Sequence, residues 1–273
     1  MITSATNARL KLARQLRDDR KTRERENLFI AEGETLCTDL INAGMQPQLL
    51  LVTEPYAGWA ERIGLAQTVL ISTSLMNGIT DEMAAPGVLV VFKMPASLPA
   101  WEEVDATSSG GPARPPVLIL DGLRDPGNLG ACLRTAVGAG CRRVLLAPGT
   151  VDPWNPKVLR GGMGAHARLS LASIVWSEVG ARIGGNQQSG AACRIVAASA
   201  RGDVSYDQFD WHSTSPTYVI LGSEASGLCG EALALATHHI RIPVDGDLES
   251  LNAAVACGVI LFEAARQRRS GTV

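Results

Sequence analysis

The chain has 273 residues, 46% of them hydrophobic, which suits one large or two medium domains with a sizeable core. Its net charge of −2 gives no overall basic excess for nucleic acid, and no apolar run approaches the ~20 residues of a membrane span. The six cysteines form no CxxC pair and the four histidines no HExxH motif, so we expect reduced thiols and no metal. With no secretory or membrane signal, a cytoplasmic location is expected.

The N-terminal part of the chain predicts a small α/β domain. Apolar runs of strand length occur at residues 28–33, 49–52, 68–71 and 88–92, and a helical stretch covers residues 35–43. Alternating strands and helices indicate an α/β sandwich. We therefore place the first domain at residues 1–95.

Basic side chains cluster near the N-terminus, where eight Arg or Lys residues between positions 7 and 26 face four acids. Two interpretations stay open: a solvated helix face held by salt bridges, or an arm that contacts RNA phosphates. The candidate RNA-binding residues are Asn7, Lys11, Arg20, Lys21 and Arg23.

Residues 96–116 are rich in Pro, Gly and Ser and form the predicted linker to a second domain at residues 117–273. Strands are predicted there at residues 117–120, 144–146, 194–197, 218–221 and 239–242. Helices are predicted at residues 129–139, from residue 156, and at residues 174–183, 231–236 and 250–268. The second domain is therefore also predicted to be α/β.

Three turns in the second domain follow apolar strands and carry polar residues where α/β proteins place ligands. They read DGLRDPGNLGACLRTA at residues 121–136, LGSEASGL at residues 221–228 and IPVDGDLESLN at residues 242–252. Their polar residues are Asn128, Arg134, Glu224, Ser250 and Asn252. Asn128 and Ser250 are expected to cap the helices that follow them. An ordinary turn or capped helix would explain each residue singly, but not all three turns in this order.

Together, the three turns resemble the signature motifs of the SpoU/TrmH family of RNA ribose 2′-O-methyltransferases. The resemblance covers the whole second domain and implies a SPOUT fold, which is a parallel sheet with helices on both faces and a C-terminal trefoil knot. It implies a homodimer and a bound S-adenosyl-L-methionine (AdoMet) held by the knot loops. The cofactor contacts implied by position are Leu221, Gly222, Ser223, Ile242, Leu251 and Asn252.

The resemblance also assigns catalytic roles. Arg134 would be the base that removes the ribose 2′-hydroxyl proton, and the residues that orient it and the ribose would be Asn128, Glu224, Ser250 and Asn252. Guanidinium groups keep their proton in proteins, so two roles for Arg134 stay open. It is either deprotonated in a special environment, or it binds an RNA phosphate that accepts the proton.

Residues of the first domain resemble the family's L30e-like substrate-binding extension, which favours ribosomal RNA as the substrate. The alternatives are a tRNA ribose 2′-O-methyltransferase and a non-catalytic RNA-binding protein of the same fold. A Rossmann oxidoreductase is disfavoured, because the GxGxxA string at residues 162–167 follows no clear strand and no acid lies about 20 residues beyond it. The GxSxG motif of a serine hydrolase is absent.

Overall fold

The computed structural model describes residues 4–80, 87–95, 114–181, 193–213, 215–246 and 250–270. The chain forms two compact units, one of residues 1–96 with 152–167, the other of residues 97–151 with 168–273. Residues 152–167, which we placed in the second domain, therefore belong to the first unit. Apolar packing explains this assignment. Leu159 belongs to the core of the N-terminal sheet, and the ring centroids of Trp154 and Phe29 lie 4.6 Å apart.

The first unit contains a mixed sheet, which in the described residues has the strand order β1-β4-β2-β3. Its strands are β1 (Leu28–Glu32), β2 (Pro47–Val52), β3 (Thr68–Leu70) and β4 (Val88–Lys93). Its helices are α1 (Ala8–Asp18), α2 (Arg20–Glu26), α3 (Glu34–Asn42), α4 (Ala57–Ile63), α5 (Thr73–Asn77) and α7 (Pro156–Gly162), with 3₁₀ turns at Glu54–Tyr56 and Ala165–Ala167. All four strands predicted in this part of the chain are present.

Both faces of this sheet are buried, as the side-chain alternation along β1 shows. Phe29 and Ala31 point to a core shared with α3 and α4, whereas Ile30 points to a second core that contains Leu10 and Leu16 of α1. Because side chains alternate along a strand, one short apolar run supplies both cores. The first unit is therefore the expected α/β sandwich.

The second unit contains a parallel sheet, which in the described residues has the order β7-β6-β5-β10-β8-β11-β9. Its strands are β5 (Val117–Asp121), β6 (Arg143–Leu146), β7 (Ser170–Ser173), β8 (Arg194–Ala198), β9 (Val204–Ser205), β10 (Thr217–Gly222) and β11 (His238–Arg241). The parallel α/β expectation is confirmed. The sequence did not indicate β7 or β9, because both are short edge strands that carry serine.

The helices of this unit with both ends described are α6 (Pro126–Gly138), α8 (Gly230–Leu235) and α9 (Ala253–Ser270), and α6 packs along α9. Residues 176–181, within the predicted helix 174–183, are also helical. The two predicted caps were wrong. Asp125 caps α6 by accepting a hydrogen bond from the Asn128 amide at 2.8 Å, since the helix already begins at Pro126, a favoured first position. Asn252, not Ser250, caps α9.

The six cysteines are unpaired thiols, five of them buried, and burial raises the pKa of the Cys141 thiol to about 12. A thiol with so high a pKa is a packing group rather than a nucleophile. No helix in the described ranges is both long and apolar enough to cross a membrane.

Candidate active site

The carboxyl ends of the central parallel strands meet at one edge of the second unit's sheet. Gly222 at the end of β10 pairs with Asp121 at the end of β5, and Leu221 pairs with Ala198 at the end of β8. Ile240 of β11 pairs with the same Ala198. Parallel pairing therefore brings the three polar turns to a common edge, where open α/β sheets bind ligands.

A hydrogen-bond network joins one residue from each turn. The Oε1 atom of Glu224 accepts hydrogen bonds from the side-chain amide of Asn128, from Asn252 Nδ2 at 3.3 Å and from the Ala253 amide at 3.1 Å. Asn252 Nδ2 also donates to Asn128 Oδ1 at 3.0 Å. A single carboxylate thus fixes the orientation of two amide side chains and the first turn of α9.

Asp121, at the end of β5, holds the second turn through a hydrogen bond to a main-chain amide. Its side chain is buried, and Oδ2 accepts a hydrogen bond from the Cys229 amide at 2.7 Å, just before α8 begins. Asp121 is not among the candidate site residues predicted from the sequence, although an acid directly after a buried strand is a signal that could have indicated it. Asp121 therefore connects the first turn to the residues that follow the second turn.

The second turn folds tightly back on the end of β10. The Gly227 amide donates to the Ser223 carbonyl at 2.9 Å, and a Cβ atom on Gly222 would lie 2.3 Å from the Gly227 carbonyl carbon. Any side chain at residue 222 would push the turn away. Glycine there leaves main-chain groups exposed at the wall of a cavity.

A cavity of about 570 Å³ opens beside the network, within the size range of small-molecule sites. The predicted cofactor residues that line it are Leu221, Gly222, Ser223, Ile242 and Leu251. Ser250 and Glu224 line it too, whereas Asn252 belongs to the network and not to the lining. The remaining wall is largely apolar and includes Ala256 and Ile260 of α9.

Arg134 occupies a different position from the other candidate catalytic residues. It is exposed on α6, less than two turns beyond Asn128. Within the described residues, no hydrogen bond joins it to Asn128, Glu224 or Asn252. The structure therefore brings three of the five candidates into direct contact, places Ser250 on the cavity wall, and leaves the Arg134 guanidinium facing solvent.

The candidate RNA-binding residues divide into three groups. Lys11 and Lys21 are exposed, and Arg20 is exposed in an ion pair with Glu24. Asn7 caps α1 by accepting a hydrogen bond from the Arg9 amide at 2.9 Å. These four residues leave the phosphate-binding interpretation open.

The assignment of Arg23 to RNA was wrong. Its guanidinium is 2% exposed, lies 2.6 Å from Asp152 Oδ2, and donates to the carbonyls of Leu16 and Arg17. A buried guanidinium with these partners has no face left for a phosphate. No local pattern indicates this pair, because its acid lies 129 residues further along the chain.

Comparisons with known proteins identify related sequences for both parts of the chain. The SpoU rRNA Methylase family profile matches residues 115–262, and an MRM3-like substrate binding domain matches residues 7–90. The rRNA methyltransferase 3, mitochondrial, of Xenopus tropicalis is 33% identical, with 91% of this chain and 72% of that protein aligned.

Two solved structures cover nearly the whole chain. The SpoU methyltransferase AviRb from Streptomyces viridochromogenes, in complex with the cofactor AdoMet, is 26% identical with a TM-score of 0.83, over 97% of this chain and 99% of that one. An AdoMet-bound rRNA methyltransferase from Sinorhizobium meliloti is 30% identical with a TM-score of 0.80, over 97% of each chain. This chain therefore belongs to the SpoU rRNA Methylase family.

Proposed function

We propose that this protein transfers the methyl group of AdoMet to a ribose 2′-hydroxyl of RNA. The observation that carries the proposal is the network of Asn128, Glu224 and Asn252 at the mouth of the cavity. It unites one residue from each family motif at the edge of the sheet where ligands bind. Relatives named as rRNA methyltransferases and two AdoMet-bound structures support the same reaction.

The cavity fits the cofactor in size and in chemistry. Its volume is suitable for a small molecule, and Gly222 keeps the end of β10 free of side chain. Leu221, Gly222, Ser223, Ile242 and Leu251 would hold AdoMet, which supplies a methyl carbon activated by a positively charged sulfur. The apolar wall keeps water from that carbon, and Glu224 joins the cavity lining to the hydrogen-bond network.

The chain must also hold the ribose and provide for its proton. As the 2′-oxygen gains the methyl group, the hydroxyl proton must leave to an acceptor. The exposed guanidinium of Arg134 is placed to bind an RNA phosphate, and we propose that this phosphate accepts the proton. Asn128 and Asn252, fixed by Glu224, would orient the ribose, so that positioning supplies most of the acceleration.

Ribosomal RNA is the proposed substrate class. The N-terminal unit matches an MRM3-like substrate binding domain, and the aligned relatives are named rRNA methyltransferase 3. Exposed Lys11 and Lys21 provide positive charge on that unit. Sequence-specific RNA recognition targets unstacked loops and bulges, where the ribose is accessible. A cytoplasmic location stays a prediction.

We further propose that the protein is a homodimer with a knotted C-terminal region, as the resemblance to the SpoU/TrmH family implies, and exposed apolar residues on α9 support the dimer. Val255 and Phe262 on α9 are 52% and 48% exposed, and their spacing of seven places them on one helix face. Two exposed apolar side chains on one helix face suit contact with a second copy of the chain. Phe262→Asp should shift the protein to a monomer in sedimentation velocity. The control Leu233→Asp, at an exposed leucine of α8, should not.

The proposed reaction is tested by transfer of tritiated methyl from AdoMet to ribosomal RNA and to transfer RNA, each lacking its native methylation. We expect label in ribosomal RNA that makes one dinucleotide resistant to alkali, and no label with Arg134→Ala. That variant should still bind AdoMet, because Arg134 does not line the cavity. Label in transfer RNA alone would make transfer RNA the substrate in place of ribosomal RNA. AdoMet binding without label in either RNA would favour the non-catalytic RNA-binding alternative.

A further inference from the structure

The segment of residues 199–203 forms part of the cavity wall but belongs to none of the three family motifs. It leaves the end of β8 and runs to β9 at the edge of the sheet. Ser199 and Ala200 line the cavity together with the motif residues. A displacement of this segment would therefore change the shape of the cavity wall.

Main-chain contacts hold the segment against β11. The Ser199 amide donates to the Ile240 carbonyl at 2.9 Å, and the Asp203 amide donates to the His239 carbonyl at 3.1 Å. Gly202 lies so close that a Cβ atom there would come within 2.2 Å of the Ile240 carbonyl carbon. The segment can occupy this place only because residue 202 lacks a side chain.

Arg241, the last residue of β11, adds a side-chain anchor. Its Nη1 atom donates to the Gly202 carbonyl at 2.6 Å and to the Asp203 carbonyl at 3.0 Å, and its own carbonyl accepts from the Tyr206 amide at 2.9 Å. The same residue lines the cavity. Arg241 thus joins the C-terminal end of the 199–203 segment to the strand that leads into the third motif, while Ile240 holds its other end at Ser199.

We infer that Arg241 is a positioning residue that holds the 199–203 segment in the conformation that binds AdoMet. The inference rests on the cavity being the cofactor site. Hydrogen bonds from a charged donor are stronger than neutral ones. If the cavity wall is already ordered before AdoMet binds, binding does not carry the entropic cost of ordering it. Loss of the anchor should therefore weaken AdoMet binding and leave the chemical step nearly unchanged.

The test compares Arg241→Met with Arg201→Met. Arg201 is exposed in the same segment and does not line the cavity, so its replacement removes an equal charge without removing the anchor. We expect Arg241→Met to raise the AdoMet dissociation constant, measured calorimetrically, on the order of tenfold. Arg201→Met should bind AdoMet as the unchanged protein does. Arg241→Lys, which keeps one charged donor, should lie between them.

Two further readouts separate positioning from a general loss of structure. Amide hydrogen exchange of Gly202 and Asp203 in the ligand-free protein should accelerate in Arg241→Met, while exchange along β10 stays unchanged. The AdoMet KM should rise with kcat at saturating AdoMet retained.

Wild-type affinity in Arg241→Met would overturn the inference even if exchange accelerates. If the unchanged protein itself binds no AdoMet, the proposed cofactor site falls and the inference falls with it. If the unchanged protein binds AdoMet and Arg241→Met binds it equally well, only the inference fails.

Discussion

Asn252 donates from Nδ2 to the Oδ1 atom of Asn128 at 3.0 Å, although 124 positions separate the two residues. The other atom of the same amide, Oδ1, accepts from the Ala254 and Val255 amides at the start of α9. Because the helix amides require an acceptor, the cap itself fixes which end of the Asn252 amide carries the oxygen. Helix capping and assembly of the network of Asn128, Glu224 and Asn252 therefore depend on one side chain.

This double role predicts that capping and catalysis can be separated at residue 252. Asn252→Ala should lose about 1 kcal/mol of unfolding free energy, whereas Asn252→Ser, which keeps a capping oxygen, should stay within about 0.5 kcal/mol of the original. Both variants lack the amide donor to Asn128, so methyl transfer should fall on the order of tenfold or more in each. Urea unfolding and single-turnover rates measure the two effects. A fully active Asn252→Ser would show that the donor is dispensable.

The buried pair of Arg23 and Asp152 predicts a large effect on stability. Arg23→Met should cost about 3–5 kcal/mol, because it leaves the Asp152 carboxylate buried without its partner. Arg20→Met breaks only the exposed pair with Glu24 and should cost less than about 1 kcal/mol. Urea unfolding compares the two variants, and the double variant Arg23→Met with Asp152→Leu should recover much of the loss. Equal urea midpoints for Arg23→Met and Arg20→Met would contradict the stabilising role of the Arg23–Asp152 pair.

The exposed lysines of the N-terminal unit are predicted to act on RNA affinity and not on stability. Replacing Lys11 or Lys21 by alanine should weaken binding to ribosomal RNA and reduce the slope of log affinity against log salt by about 0.7–0.9 each. Filter binding at several salt concentrations measures both quantities. Arg62→Ala, which removes an exposed charge from the same unit, is the control. Unchanged slopes in both lysine variants would favour the solvated helix face.

His166 predicts a pH dependence of stability. Burial lowers the pKa of this histidine from 6.5 to about 4, with Nε2 bonded to the Pro153 carbonyl at 2.8 Å. As the pH falls below 6.5, protons bind first to the unfolded chain, so the free energy of unfolding decreases down to about pH 4. The loss attributable to His166 is about 3 kcal/mol across that window.

Urea unfolding at intervals from pH 7 to pH 4 tests this expectation. His166→Gln should flatten the dependence, since the amide keeps a donor for Pro153 and does not titrate in this range. His212→Gln, at an exposed histidine, should leave the dependence unchanged. Parallel profiles for the original protein and His166→Gln would show that the buried ring is not the source.

The strands and the three polar turns were readable from local sequence, since apolar runs bounded by Gly, Pro and Asn carry that information in consecutive residues. Glu224, Asn128 and Asn252 were therefore identified before the structure placed them together. The caps were misassigned because several residues within one turn can each accept a helix amide, and only backbone geometry selects Asp125 and Asn252. Edge strands β7 and β9 were not predicted because they are only four and two residues long and contain no continuous apolar run.

By itself, the sequence determined the α/β class of both parts, the order of the longer strands and helices, and the candidate residues that follow β5, β10 and β11. Only the tertiary structure decided that residues 152–167 belong to the first unit and that Arg23 is buried there against Asp152. It also decided that Arg241 anchors the cavity wall. The physical reason is range: strand patterns and turns depend on neighbouring residues, whereas buried ion pairs and cavity walls depend on segments that packing alone brings together.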